Sequence, residues 1–191
     1  TFDALNDFSN IELTIKEVKK NGKHAQGAMA YTVSPVHTLN SWLDLAKQIE
    51  DAGADSVAIK DMAGLLKPNA AFELVSELKQ NISVPIHMQT HATTGFSTAT
   101  NMKAIEAGID NIDTSISSMS MTYGHTATET IVSMFDDTKI FSAIDKNLFP
   151  ELSSHFKKVR KKYELYEGSL KGVDASMLIC LLYTSDAADE V

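Results

Sequence analysis

Apolar positions along the chain alternate between two spacings. Residues 28–33 form a short apolar run that ends in the β-formers Tyr31, Thr32 and Val33, and the run reads as a strand. Over 40–52, Trp42, Leu45, Ala46 and Ile49 follow the i, i+3, i+4, i+7 spacing of one helix face. Gly53 follows, where a helix end favours a residue free to take positive φ. Residues 54–60 are the next strand. Pro68 and Asn69 open a helix carrying Phe72, Val75 and Leu78. Residues 84–89 read as a strand. Residues 97–107 read as a helix with Met102 and Ile105 inward, closed by Gly108. Residues 109–116 are another strand, and 126–135 a helix. Residues 2–5 are a candidate further strand, and a helical extension is expected over 145–165.

The phrase Asp51-Ala52-Gly53-Ala54-Asp55 returns as Glu106-Ala107-Gly108-Ile109-Asp110, with one full strand–helix unit between. Regular β–α alternation implies a parallel sheet with right-handed crossovers. The fold class expected is therefore α/β, and the architecture a (β/α)8 barrel in which this chain supplies five strands and their helices. A doubly wound open sheet is the rival. No Gly-rich phosphate loop follows any strand, which counts against it.

Composition narrows the function classes. The chain has 191 residues, 43% hydrophobic and 22% charged, as expected of a soluble chain with one sizeable core. The net charge is -8 and no basic block interleaves with aromatics, which argues against nucleic-acid binding. Lys157, Lys158, Arg160, Lys161 and Lys162 read as a solvated helix face. No apolar run approaches the roughly 20 residues of a membrane span. A single cysteine, Cys180, and no signal peptide make the cytoplasm the expected compartment.

Strand ends opening into βα-loops are where parallel α/β folds keep their chemistry. Lys60 and Asp61 close the strand over 54–60, and a Gly-containing turn follows. Lys60 reads three ways: a solvated lysine, a base or Schiff-base lysine, or a carbamylated metal ligand. Asp61 takes the other face, where it orients neighbours or caps the next helix. His87, Gln89 and His91 share one strand face, with neighbours about 6.6 Å apart at a rise of about 3.3 Å per residue. His87 and His91 diverge, so a metal pair must include position 89. A neutral glutamine amide is a poor ligand for a transition metal, and a polar face without metal is the alternative. Tyr31 reads either as a ligand-facing hydroxyl or as a half-buried tyrosine.

These segments resemble a known family. Phe-Asp-Ala-Leu-Asn-Asp at 2–7, Tyr-Thr-Val-Ser-Pro-Val-His-Thr at 31–38 and Ile-Lys-Asp-Met-Ala-Gly-Leu-Leu at 59–66 are similar to the carboxyltransferase domain shared by oxaloacetate decarboxylase alpha subunits, pyruvate carboxylases and transcarboxylases. So are Thr-His-Ala-Thr-Thr-Gly at 90–95 and the segment 113–125. The resemblance covers residues 1 to about 179.

It implies a barrel whose strands 4–8 lie here (1–144), the start of a helical C-terminal extension (145–179) and a non-native tail (180–191). It further implies carboxyl transfer between biotin and pyruvate or oxaloacetate, assisted by a divalent metal: zinc, manganese or cobalt. The metal positions map onto Lys60, Gln89 and His91, with Lys60 and Asp61 as catalytic residues and Tyr31 beside the substrate. Biotin rides on another domain or subunit, and the intact protein is expected to be a homo-oligomer or multisubunit complex. Gln89 departs from the family's His-x-His pair, and one base change separates the two codons. An aspartate ligand expected on strand 1 is not in the chain, so the chain alone is expected to be inactive. An acyl-CoA lyase or synthase of the same barrel and an inactive truncated module are the rivals.

Overall fold

The computed structural model describes residues 1–191 except 121–123, 142, 169–171, 177 and 179–191. Expectations for Cys180, for the tail over 180–191 and for Tyr123 lie outside the described residues. In chain order the elements are α1 (Phe8–Lys20), β1 (Gln26–Ala30), α2 (Leu39–Asp51), β2 (Ser56–Asp61), α3 (Pro68–Asn81), β3 (Ile86–Thr90), α4 (Ser97–Glu106), β4 (Asn111–Ile112), α5 (Thr128–Met134) and α6 (Phe149–Lys162).

All strand pairs are parallel, and the sheet order is β1-β2-β3-β4. The order never reverses, whereas a doubly wound sheet changes direction at a switch point. Right-handed crossovers in unbroken order put every helix on the same side. The result is an arc of a (β/α)8 barrel, with one face of the sheet packed on helices and the other turned to the barrel interior.

The core lies on the helix side. Val57, Ile59, Ile86 and Met88 from the strands meet Ile11 and Ile15 of α1, Trp42, Ala46 and Ile49 of α2, and Leu74, Val75 and Leu78 of α3. Gly27 allows the close approach of α2, because a Cβ there would sit 2.3 Å from the Ile49 side chain. The interior face carries Ala28, Ala30, Ala58, Lys60, His87 and Gln89, by strand alternation and register.

Several expectations need correction. Helix α1 was not anticipated. Asp7 caps it by accepting from the Ser9 N–H at 3.0 Å, and only Ile11 and Ile15 are fully buried. Residues 2–5 make a single parallel bridge, Phe2 to Ala28, rather than a strand. The Asp3 carboxylate accepts from the Leu5 and Asp7 N–H groups and turns the chain away from the sheet into α1. The strand expected over 109–116 shortens to β4, because Ser115 leaves β3 to bridge Ala127. β1 ends at Ala30, and the β-formers at 31–33 belong to the following loop. Phe72 lies on the solvent side of α3, 43% exposed, beneath the Lys103 ammonium. In α4 the buried face is Ser97, Thr100, Asn101 and Ala104, while Met102 and Ile105 are half-buried. Asn101 is fully buried, and neither polar atom of its side chain has a hydrogen-bond partner.

Candidate functional site

Lys60 is the fifth residue of β2 and pairs in register with Gln89 of β3. Both side chains therefore leave the sheet on the interior face, one strand spacing apart. Lys60 Nζ donates to Gln89 Oε1 at 2.6 Å and stands 5.0 Å from the centre of the Phe2 ring. One layer deeper, His87 Nε2 and Asp113 Oδ1 are 2.7 Å apart. Lys60, Gln89, His87 and Asp113 line one cleft of about 150 Å³, with Phe2 and Gln26 as its remaining large walls. The cleft thus offers a donor, an amide and a carboxylate-bound imidazole to a small polar guest.

Asp61, the next residue of β2, points to the helix side and is fully buried. Its carboxylate accepts from the Leu65 N–H at 2.8 Å, the Leu66 N–H at 3.1 Å and the Thr90 hydroxyl at 2.8 Å. Burial pushes its pKa up, against the opposing pull of those bonds and of the Gly64 N–H. What this geometry supports for Asp61 is a positioning role. It fixes the turn after Lys60 and ties β2 to β3, while its carboxylate faces away from the cleft. The same turn needs Gly64, which has φ +69°; a Cβ there would lie 2.6 Å from the His91 carbonyl oxygen.

His91 lies one residue past β3, its N–H donating to the Asp61 carbonyl at 3.0 Å. Its ring is 4.7 Å from that of His125, whose Nδ1 is 3.1 Å from the Thr90 carbonyl. Tyr31 is not among the residues lining the cleft. Its ring stacks on Trp42 at 5.4 Å, and its hydroxyl pKa is raised by burial and by the Asp61 charge. The structure therefore brings Lys60 and Gln89 together, leaves His91 one residue past β3 against His125, and places Tyr31 on the α2 side.

The His87–Asp113 contact was missed in the sequence. Its signal was the alternation that places Asn111 and Asp113 on one face, opposite a strand whose interior residues include His87.

The donor chemistry can be tested against a divalent metal. Among the described residues, no three of His, Cys, Asp and Glu converge to hold one. Lys60 and Gln89 direct their polar atoms at each other, and an amide oxygen is a weak transition-metal ligand. As they stand, the described residues do not fit a metal site at Lys60, Gln89 and His91, the positions that the family resemblance implies.

A partial parallel barrel with polar residues at its interior strand ends is what the chain builds, and the chain belongs to the HMGL-like family, whose model matches residues 3–155. Among relatives, it is 46% identical over 179 residues to a pyruvate carboxylase subunit of Methanocaldococcus jannaschii, covering 93% of this chain and 32% of that protein. It is 45% identical over 168 residues to the methylmalonyl-CoA carboxyltransferase 5S subunit of Propionibacterium freudenreichii, covering 87% of this chain and 33% of that one. In structure it matches the carboxyl transferase domain of Rhizobium etli pyruvate carboxylase solved with 3-hydroxypyruvate. There the TM-score is 0.90 at 32% identity, covering 93% of this chain and 31% of that chain. The chain spans about a third of the length of the curated relatives it matches. Among the described residues no helix is long and apolar enough to cross a membrane.

Proposed function

We propose that the whole protein to which this chain contributes is a biotin-dependent carboxyltransferase acting on a 2-oxo acid, pyruvate or oxaloacetate. The observation that carries this reading is Lys60, held over the interior cleft at the end of a parallel strand by Gln89. The likeness to the archaeal pyruvate carboxylase subunit supports it, as does the likeness to a carboxyl transferase domain solved with pyruvate and biocytin.

In the oxaloacetate direction, the bond between C3 and its carboxyl carbon breaks. The electron pair passes to the C2 oxygen as an enolate, and CO2 leaves for a biotin ureido nitrogen. The proton that nitrogen gives up returns to C3, so oxaloacetate and biotin become pyruvate and carboxybiotin. Lys60 is assigned to stabilise the enolate oxygen, since a fixed donor aimed at developing charge is worth most in a water-poor cleft. Asp61 holds the Lys60 turn. His87 and Asp113 form the polar floor of the cleft, and Tyr31, packed on Trp42 outside it, supports the loop after β1 rather than touching the substrate.

Zinc, manganese or cobalt is left out of this reading, because the donors present do not fit it. The biotin carrier belongs to another domain or subunit, the whole protein is an oligomer or multisubunit complex, and the compartment is the cytoplasm. The test is label exchange: radiolabelled pyruvate incubated with oxaloacetate, biotin and the full-length protein. Biotin-dependent transfer of label into oxaloacetate is the expected result, and no transfer by a folded, full-length preparation would reject the assignment.

A further inference from the structure

A lysine, a glutamine and a histidine sit where the resemblance implies metal ligands, yet two of the three are bonded to each other. Lys60 Nζ donates to Gln89 Oε1 at 2.6 Å, and the two residues are direct partners across β2 and β3. Register sets the two side chains beside each other on the interior face, within reach of this bond. Gln89 is half-buried, and the Lys60 ammonium stands over the Phe2 ring, 5.0 Å from its centre. Each group gives the other the partner that a partly buried polar atom needs.

A metal site in this cleft would require the opposite. Ligands must offer free lone pairs, and a metal must displace whatever already holds them. A lysine serves as an anionic ligand only after the ammonium loses one proton, Nζ bonds to the carbon of CO2 and a second proton is released. The product carbamate keeps one N–H but adds two anionic oxygens, so the ammonium that Gln89 Oε1 now accepts from is gone. The only strong transition-metal donor left at the three positions is His91, and its imidazole lies against His125.

We infer that Gln89 is a selectivity residue: by holding Lys60 through its amide, it converts a metal-binding strand end into a metal-free lysine site. The inference rests on the carboxyltransferase reading only for which ions to try. Its readouts are metal binding and lysine reactivity, so a failure here and a failure of carboxyl transfer are separate results.

The test uses the full-length protein, its helix content followed by far-UV circular dichroism. Equilibrium dialysis against zinc or manganese in bicarbonate buffer, with metal counted by mass spectrometry, compares wild type, Gln89→His and the Gln89→His/Lys60→Ala pair. The expected result is weak binding by wild type, at least tenfold tighter binding by Gln89→His, and loss of that gain in the double variant. Stoichiometric tight binding by wild type overturns the inference. So does equally weak binding by wild type and a folded Gln89→His.

A second measurement stands if the histidine variant does not fold. Brief acetylation, read peptide by peptide, should label Lys60 at least threefold faster in Gln89→Leu than in wild type, relative to Lys67 as internal reference. Equal rates overturn the inference.

Discussion

Replacing Asp61 with alanine should cost more stability than any other single change around the cleft. The substitution removes the acceptor of the Leu65 N–H, the Leu66 N–H and the Thr90 hydroxyl. Leu66 and Thr90 are fully buried, so water cannot replace the lost partner. Each buried donor left unpaired costs about 1–3 kcal/mol. Two effects pull the total toward the low end. The Thr90 hydroxyl can rotate, and the buried carboxylate already carries a desolvation cost, which its raised pKa records. The net loss should be about 3–4 kcal/mol, against about 5–15 kcal/mol for a whole domain. Urea unfolding followed by circular dichroism would show it as a lower midpoint at unchanged slope. The pH dependence adds a second check. A carboxyl whose folded pKa lies above its unfolded value of about 3.9 contributes stability below that pH. That contribution is lost as pH rises through the folded pKa, so the deficit of Asp61→Ala should narrow from about pH 4 toward neutrality. A deficit under about 1 kcal/mol, or one that widens over that range, would refute Asp61 as the anchor of the Lys60 turn.

Other outcomes follow from single contacts. Gly64→Ala should destabilise by about 2 kcal/mol or more in the same urea assay, because it combines a left-handed backbone with a 2.6 Å approach to the His91 carbonyl. Asn101→Leu should leave stability unchanged or raise it by about 1 kcal/mol, since it removes a buried amide whose polar atoms have no partner; a loss above that size would show that the amide is bonded in solution. Burial pushes the Asp110 carboxyl up, but Lys79 and the Ile86 N–H outweigh it and hold the pKa below the usual range. Glu50 is lowered chiefly by the Ser83 hydroxyl. Stability from both is present above pH about 4 and lost as pH falls through their folded values. An acid titration of Asp110→Asn should therefore be flatter than that of wild type.

What could be read from the sequence follows from which contacts are local. The helix face Trp42, Leu45, Ala46 and Ile49 is visible in spacing alone, and all four are buried. The shared face of His87 and Gln89 is equally local, because alternation along one strand fixes it. Helix α1 carries Phe8, Ile11, Ile15 and Val18 at helical spacing, so its inward face was legible in the sequence and was overlooked there. Phe72 is large and apolar but lies one position off the buried face of α3, whose inward residues are Ala71, Leu74, Val75 and Leu78. Spacing along α4 favoured Met102 and Ile105, whereas the close helix neighbours there select small and polar residues. The Lys60–Gln89 and His87–Asp113 contacts depend on register between strands, which no single segment encodes. Motifs located the strand end; pairing decided what Lys60 touches.

The assignment of chemistry to Lys60 is tested most directly by the rate of biotin-dependent label exchange between pyruvate and oxaloacetate. It should be measured on the full-length protein with Lys60 and with Lys60→Met, at matched helix content. Removal of the amine should slow exchange at least a hundredfold, about 2.7 kcal/mol in the barrier, with biotin carrier binding unchanged. Exchange within threefold of wild type would contradict the placement of carboxyl-transfer chemistry at this strand end.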